Sequence, residues 1–192
     1  MNKLNKTLAV AGISALAFVG VAVAVPTAQA ATTSVADTVR LSIGESLDLT
    51  LTGTADFGTV SVATANTAQQ TANVKSNYAA GYTLTLADQD ATTNLVSGSD
   101  TIPTLAAAGK LLPGQATSAW GVFVGTGTTG SGGSTFQPMP ASGGTSIQIA
   151  DTNAVSAAAG DDYPVTYGAQ ISGSQAPGIY EDIVLYTLTS KP

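Results

Sequence analysis

The sequence contains no cysteine and no histidine, a single tryptophan, and only 9% charged residues. Without His or Cys, neither a Ser–His–Asp nor a Cys–His arrangement can form, and zinc loses its usual ligands. A Ser–Lys nucleophile would be marked by S-x-x-K, which does not occur. Twelve acidic residues always permit some carboxylate pair, so a glycosidase-type pair carries no specific signal. The expectation is a protein that is not an enzyme and needs no cofactor. Without disulfides, stability must come from a core. For an exported chain, that is a mild hint of a Gram-positive or similar host. Basic residues are nearly as scarce. Lys3 and Lys6 lie at the start, leaving Arg40, Lys75, Lys110 and Lys191 against all twelve Asp and Glu. Such an acidic surface argues against nucleic acid and anionic membranes as partners.

Only one long hydrophobic run occurs. Lys3 and Lys6 precede an apolar stretch from Leu8 to Val25, and Pro26 breaks it before Ala28-Gln29-Ala30. A basic head, an apolar run and an A-x-A site are the marks of a secretory signal peptide, cut after Ala30. A retained membrane anchor is the rival reading, since the run is just long enough to span. No Cys follows it for lipidation. No Gly precedes it with a Glu shortly behind, so a type IV prepilin leader is not expected. Leu112-Pro113-Gly114 is internal, lacks a Thr-Gly ending and has no apolar tail behind it, so sortase anchoring is not expected. Residues 31–192 then form one secreted domain, with no membrane contact after cleavage.

Helical periodicity is absent after residue 30, and period-2 alternation takes its place. It places strands at Val39–Ile43, Leu47–Leu51, Val60–Val62, Tyr82–Leu86, Trp120–Val124, Ile147–Ile149, Val165–Ile171 and Ile179–Leu188. The last carries Val184, Tyr186 and Leu188 on one face and Ile183 and Leu185 on the other. Apolar residues on both faces predict a central or doubly covered strand. Breakers stand at Gly53, residues 77–81, Gly114, residues 160–162 and Pro177-Gly178,. Many short strands between turns imply an all-β antiparallel β-sandwich, each sheet burying one face.

Three segments stand apart. Residues 125–133, GTGTTGSGG, have the composition of an exposed hairpin tip or of a mobile contact loop,. Ala106–Ala108 suggests a short helix. Asp88-Gln89-Asp90 with Asn94 superficially resembles a calcium loop but lacks its glycine and distal Glu,. A solvated turn is the expectation there, as it is for Asp161-Asp162.

The C-terminus reads GIYEDIVLYTLTSKP. It resembles the closing pattern Y-x-x-x-[LIV]-T-W-x-L-x-x-x-P of WxL-domain surface proteins. Tyr180, Val184, Leu188 and Pro192 stand at the Y, [LIV], L and P positions, with Tyr186 in place of Trp and Leu185 in place of Thr. Asp56-Phe57-Gly58-Thr59 is similar to the family's early D-F-G-T. Gly81-Tyr82-Thr83-Leu84 is similar to its first G-W-x-L, again with Tyr for Trp. The resemblance implies a non-catalytic sandwich on the cell surface, held non-covalently to peptidoglycan or another wall glycan. Tyr82, Leu84, Tyr186 and Leu188 are then the candidate binding residues. Tyr82 and Tyr186 have two readings: core residues with a hydroxyl at the rim, or aromatic faces stacked on wall sugars. Trp120 faces the same choice, and Val122 and Val124 beside it favour core. The alternative is a structural subunit of a fibre, pilus or lattice, touching other surface proteins or copies of itself by strand addition. Its N-terminal donor strand would be Ala31–Val35. An adhesin for glycans is a third class.

Overall fold

The computed structural model describes residues 38–192. The signal peptide expected at residues 1–30 and the donor strand expected at Ala31–Val35 lie outside them. Residues 38–41 carry no strand and are exposed. The compact unit spans Ser42–Pro192. It contains strands β1 (Leu47–Thr52), β2 (Asn66–Ser76), β3 (Tyr82–Asp88), β4 (Leu95–Ser97), β5 (Asp100–Ile102), β6 (Ala119–Val124), β7 (Ile147–Asp151), β8 (Asp161–Gln170) and β9 (Val184–Ser190).

The architecture is all-β and sandwich-like, as the alternation implies. A four-stranded sheet runs β1-β2-β8-β6 and a three-stranded sheet runs β7-β3-β9, with β4-β5 a separate hairpin. All ladders are antiparallel. Leu84 and Leu86 of β3, Val74 of β2, and Val165 and Tyr167 of β8 are buried between the sheets. Trp120 is 2% exposed within the same core, and its indole N–H donates to Thr93 O at 3.0 Å.

The doubly covered strand is β8, not the C-terminal one. Val165 through Gln170 are all buried. The inward side chains join the core, while the other face lies under Leu111 and Phe136. That second cover approaches closely because Gly168 and Gly121, paired across β8 and β6, carry no side chain. A Cβ on Gly168 would sit 2.5 Å from Leu111 Cδ1 and 2.7 Å from Phe136 Cε1. By contrast β9 is an edge strand, with Ile183 64% and Leu185 51% exposed. Its neighbour β3 takes the central place in the smaller sheet.

Other expectations are corrected. Val39–Ile43 and Val60–Val62 alternate but form no strand, because no neighbouring strand pairs with them among the described residues. The long strand β2 was not legible as an apolar run. Its inward positions are Ala68, Gln70, Ala72, Val74 and Ser76. Ala106–Ala108 is irregular, not helical. The glycine-rich loop is tied down: Gly127 N–H donates to Thr166 Oγ1 at 2.8 Å and Thr129 Oγ1 to Ala65 O at 2.7 Å. Gly81 and Gly160 do serve as breakers, at φ of 86° and 92°.

Gly168→Ala is expected to lower stability by about 1–3 kcal/mol through overpacking. A urea midpoint shift at unchanged slope measures it, and an unshifted midpoint would show that the second cover is not closely packed.

Candidate functional site

The register brings the four candidate residues together. Leu84 pairs with Leu188 and Leu86 with Tyr186 across β3 and β9. Alternation then puts Tyr82, Leu84, Tyr186 and Leu188 on the inner face of one sheet. Tyr82 and Leu84 are completely buried, while Tyr186 and Leu188 are half-buried. Both tyrosines tie the sheets together. Tyr82 OH donates to Asp161 Oδ2 at 2.6 Å and shares a 2.7 Å hydrogen bond with Tyr163 OH. The rings of Tyr82 and Tyr163 meet edge to face at 6.4 Å. Tyr186 OH and Tyr167 OH lie 2.8 Å apart. Burial, joined at Tyr82 by the Asp161 and Tyr163 hydrogen bonds, pushes the Tyr82 and Tyr167 hydroxyls far above their ordinary pKa. Burial also raises that of Tyr186. These phenols therefore stay neutral and keep their hydrogen bonds. Asp161, expected in a solvated turn, instead begins β8 and accepts from Tyr82 and from Ala157 N–H. Sequence reading missed Tyr163, Tyr167 and Asp161 as partners. The alternation Tyr163, Val165, Tyr167, Ala169 was the signal that aligned them.

An acidic cluster forms where β3 ends and β9 begins. Asp88, expected in a solvated turn, is 1% exposed. Asp90 N–H donates to its Oδ1 at 2.9 Å, and Gln89 N–H donates to Ile183 O. Its Oδ2 and Asp182 Oδ2 are buried and meet no donor. Burial, the hydrogen-bonding Asp88 carboxyl and the nearby charges of Asp88 and Asp90 push Asp182 up to about 7. The Thr92 hydroxyl and N–H hold Asp90 below the usual carboxylate range. The raised value favours a proton on the buried Asp182 carboxyl, whose desolvated charge would otherwise lack a partner,. An open cleft of about 490 Å³ adjoins, lined by Asp90, Asn94, Glu181 and Asp182 among others. Among the described residues, no three metal-ligating side chains converge to hold an ion. The only ion pair among them lies elsewhere, between Lys191 and Asp151.

A second cleft, about 190 Å³, opens between the end of β1 and the start of β9. Leu51, Phe57, Leu95 and Val184 line it, with Trp120 and Tyr167 at its floor. Phe57 belongs to the D-F-G-T stretch and packs against the core from the loop after β1. Leu47 and Leu49 of β1 and Val184, Tyr186 and Leu188 of β9 are all half-buried, so the apolar interior reaches the surface along these edges.

Compared with known proteins, the chain matches no family model, no curated protein and no solved structure.

Tyr82→Phe is expected to cost about 1–3 kcal/mol, because it strips a donor from Asp161 and a partner from Tyr163 inside the sandwich. Equilibrium unfolding checks it, and an unchanged stability would remove the tie from the account. For Asp182 the folded pKa of about 7 exceeds the ordinary 3.8. The unfolded state therefore ionises first as pH rises, and stability falls between about pH 4 and 7. Asp182→Asn removes that slope. Its melting temperature relative to the parent should be lowest at pH 4 and highest at pH 7. Parallel curves for the two proteins would contradict the raised Asp182 value.

Proposed function

We propose that this chain is a non-catalytic protein of the cell exterior, a structural subunit of a surface fibre, pilus or lattice assembled by β-strand contacts. The observation that carries this reading is the state of β9. It is a seven-residue edge, VLYTLTS, without a charge or a proline. Natural edges are usually guarded by Lys, Pro, bulges or a covering segment. The edge of β6 follows that rule, since residues 104 and 137 bridge onto it. An unguarded edge with half-buried inward side chains is suited to accept another strand.

The second reading is WxL-like association with the wall. What supports it is the placement of the two motif segments on adjacent strands, β3 and β9. Their outer face offers Thr187, Thr189 and Leu185 to a peptidoglycan chain. On this reading the sugar contacts fall to the outer face, and Tyr82, Leu84, Tyr186 and Leu188 hold the sheet that presents it. Secretion through the N-terminal signal is common to both readings.

Electron microscopy and sedimentation of the purified chain, beside co-sedimentation with sacculi, separate the two. Growth of oligomers or filaments with concentration, and no saturable binding to sacculi, is the expected result. A strictly monomeric chain that binds sacculi, and loses that binding in Leu185→Asp, would put the wall reading first.

A further inference from the structure

We infer that residues Val39–Ile43 of one copy form the donor strand that adds to the β9 edge of the next, with their apolar side chains entering the cleft beside β1. This inference rests on the assembly reading and names its contacts.

The donor is defined by an alternation that finds no use within the described fold. Val39, Leu41 and Ile43 are 93%, 86% and 79% exposed. A run of three large apolar residues at period 2 is the pattern of a half-buried strand, yet the segment carries none. It is also presented at a fixed point. Immediately after it, Asn77 Nδ2 donates to Gly44 O at 2.9 Å, Ser46 N–H donates to Asn77 Oδ1 at 2.7 Å, and Asn77 N–H donates to Ser46 O at 3.3 Å. The chain is thus clamped at Gly44–Ser46 and β1 follows directly.

The acceptor matches in period and chemistry. Val184, Tyr186 and Leu188 face inward at the same two-residue spacing and are left half-buried. An added strand places its own inward residues beside them, over the cleft lined by Leu51, Phe57 and Val184. The cleft's volume suits one or two of the three aliphatic side chains, and the remainder of the donor's apolar face lies along Val184, Tyr186 and Leu188 of β9. Arg40, the donor's only basic residue, is opposite in charge to Glu181 just before β9. Charge complementarity of this kind favours the encounter and makes it sensitive to salt.

The unique Trp120 at the cleft floor supplies the readout. A synthetic peptide of residues 38–46 is titrated into the purified chain while its tryptophan emission and oligomer size are followed. The expected result is a saturable emission change, with oligomers shrinking as the peptide occupies their seats. A Leu41→Asp peptide should bind at least about tenfold more weakly, since its carboxylate would have to be desolvated, and a Leu41→Ile peptide should bind like the parent. Leu41→Asp in the whole chain, outside the compact unit, should leave the folded Trp120 signal intact and abolish association. If the whole-chain Leu41→Asp variant still assembles, this inference is overturned while the assembly reading stands on another edge. If the parent chain stays monomeric and no peptide binds, both fall. If the peptide binds a chain that never associates, the seat is not filled by a second copy, and the inference again fails.

Discussion

Strand β8 has two faces to bury at once, and most of the molecule is arranged around that demand. One face sends Val165, Tyr167 and Ala169 into the core between the sheets. The other would lie open to water on a two-layer sandwich. Here the irregular chain carrying Leu111 and Phe136 folds over it, and Thr166 Oγ1 donates to Gly125 O while accepting from Gly127 N–H. Two glycines paired across β6 and β8 permit the approach. The glycine-rich loop is consequently part of the packing. Small residues there remove bulk where chain must cross chain, which is a different use of glycine from flexibility.

The inner face of β8 also sets the polar geometry. Tyr163 and Tyr167 stand four residues apart on one side of the strand and meet Tyr82 and Tyr186 from the opposite sheet. A buried phenol needs a partner, and pairing phenol with phenol across the sandwich fixes how the sheets are aligned. A tryptophan at either position would have one indole donor and no acceptor, so the exchange of roles between two hydroxyls would be lost. Tyrosine at both motif positions fits this interior.

Fold class was legible because alternation survives wherever a strand has a partner. It was misleading where no partner exists, at Val39–Ile43 and Val60–Val62, since period 2 states what a strand would bury and not whether one forms. It was silent in β2, where Ala68, Gln70, Ala72 and Ser76 leave Val74 as the one large apolar residue on the inner face. Small inward residues suit a strand lying between two others beneath the bulk of Tyr82 and Leu84, but their hydropathy contrast with Gln69, Thr71 and Asn73 is too slight to read. The acidic cluster was hidden for another reason. Asp88 and Asp182 are far apart in the chain, and only the β3–β9 register brings them together. Each by itself looks like an ordinary turn residue.

The exposed alternation and the unguarded edge bear on each other through magnitudes. Burying three large aliphatic side chains yields about 1.5–3 kcal/mol apiece. Ordering five residues costs about 1–2 kcal/mol apiece. These nearly cancel, so the apolar contacts alone would leave the segment mostly detached. The balance then rests on the backbone ladder, at about 0.5–1.5 kcal/mol for each hydrogen bond, and among the described residues β9 has an unpaired edge on which to build it. On the assembly reading, a segment held by so small a margin would exchange at low concentration and bind when copies are crowded together. Clamping by Asn77 holds Gly44 and Ser46, so the segment leaves the folded chain from a defined point.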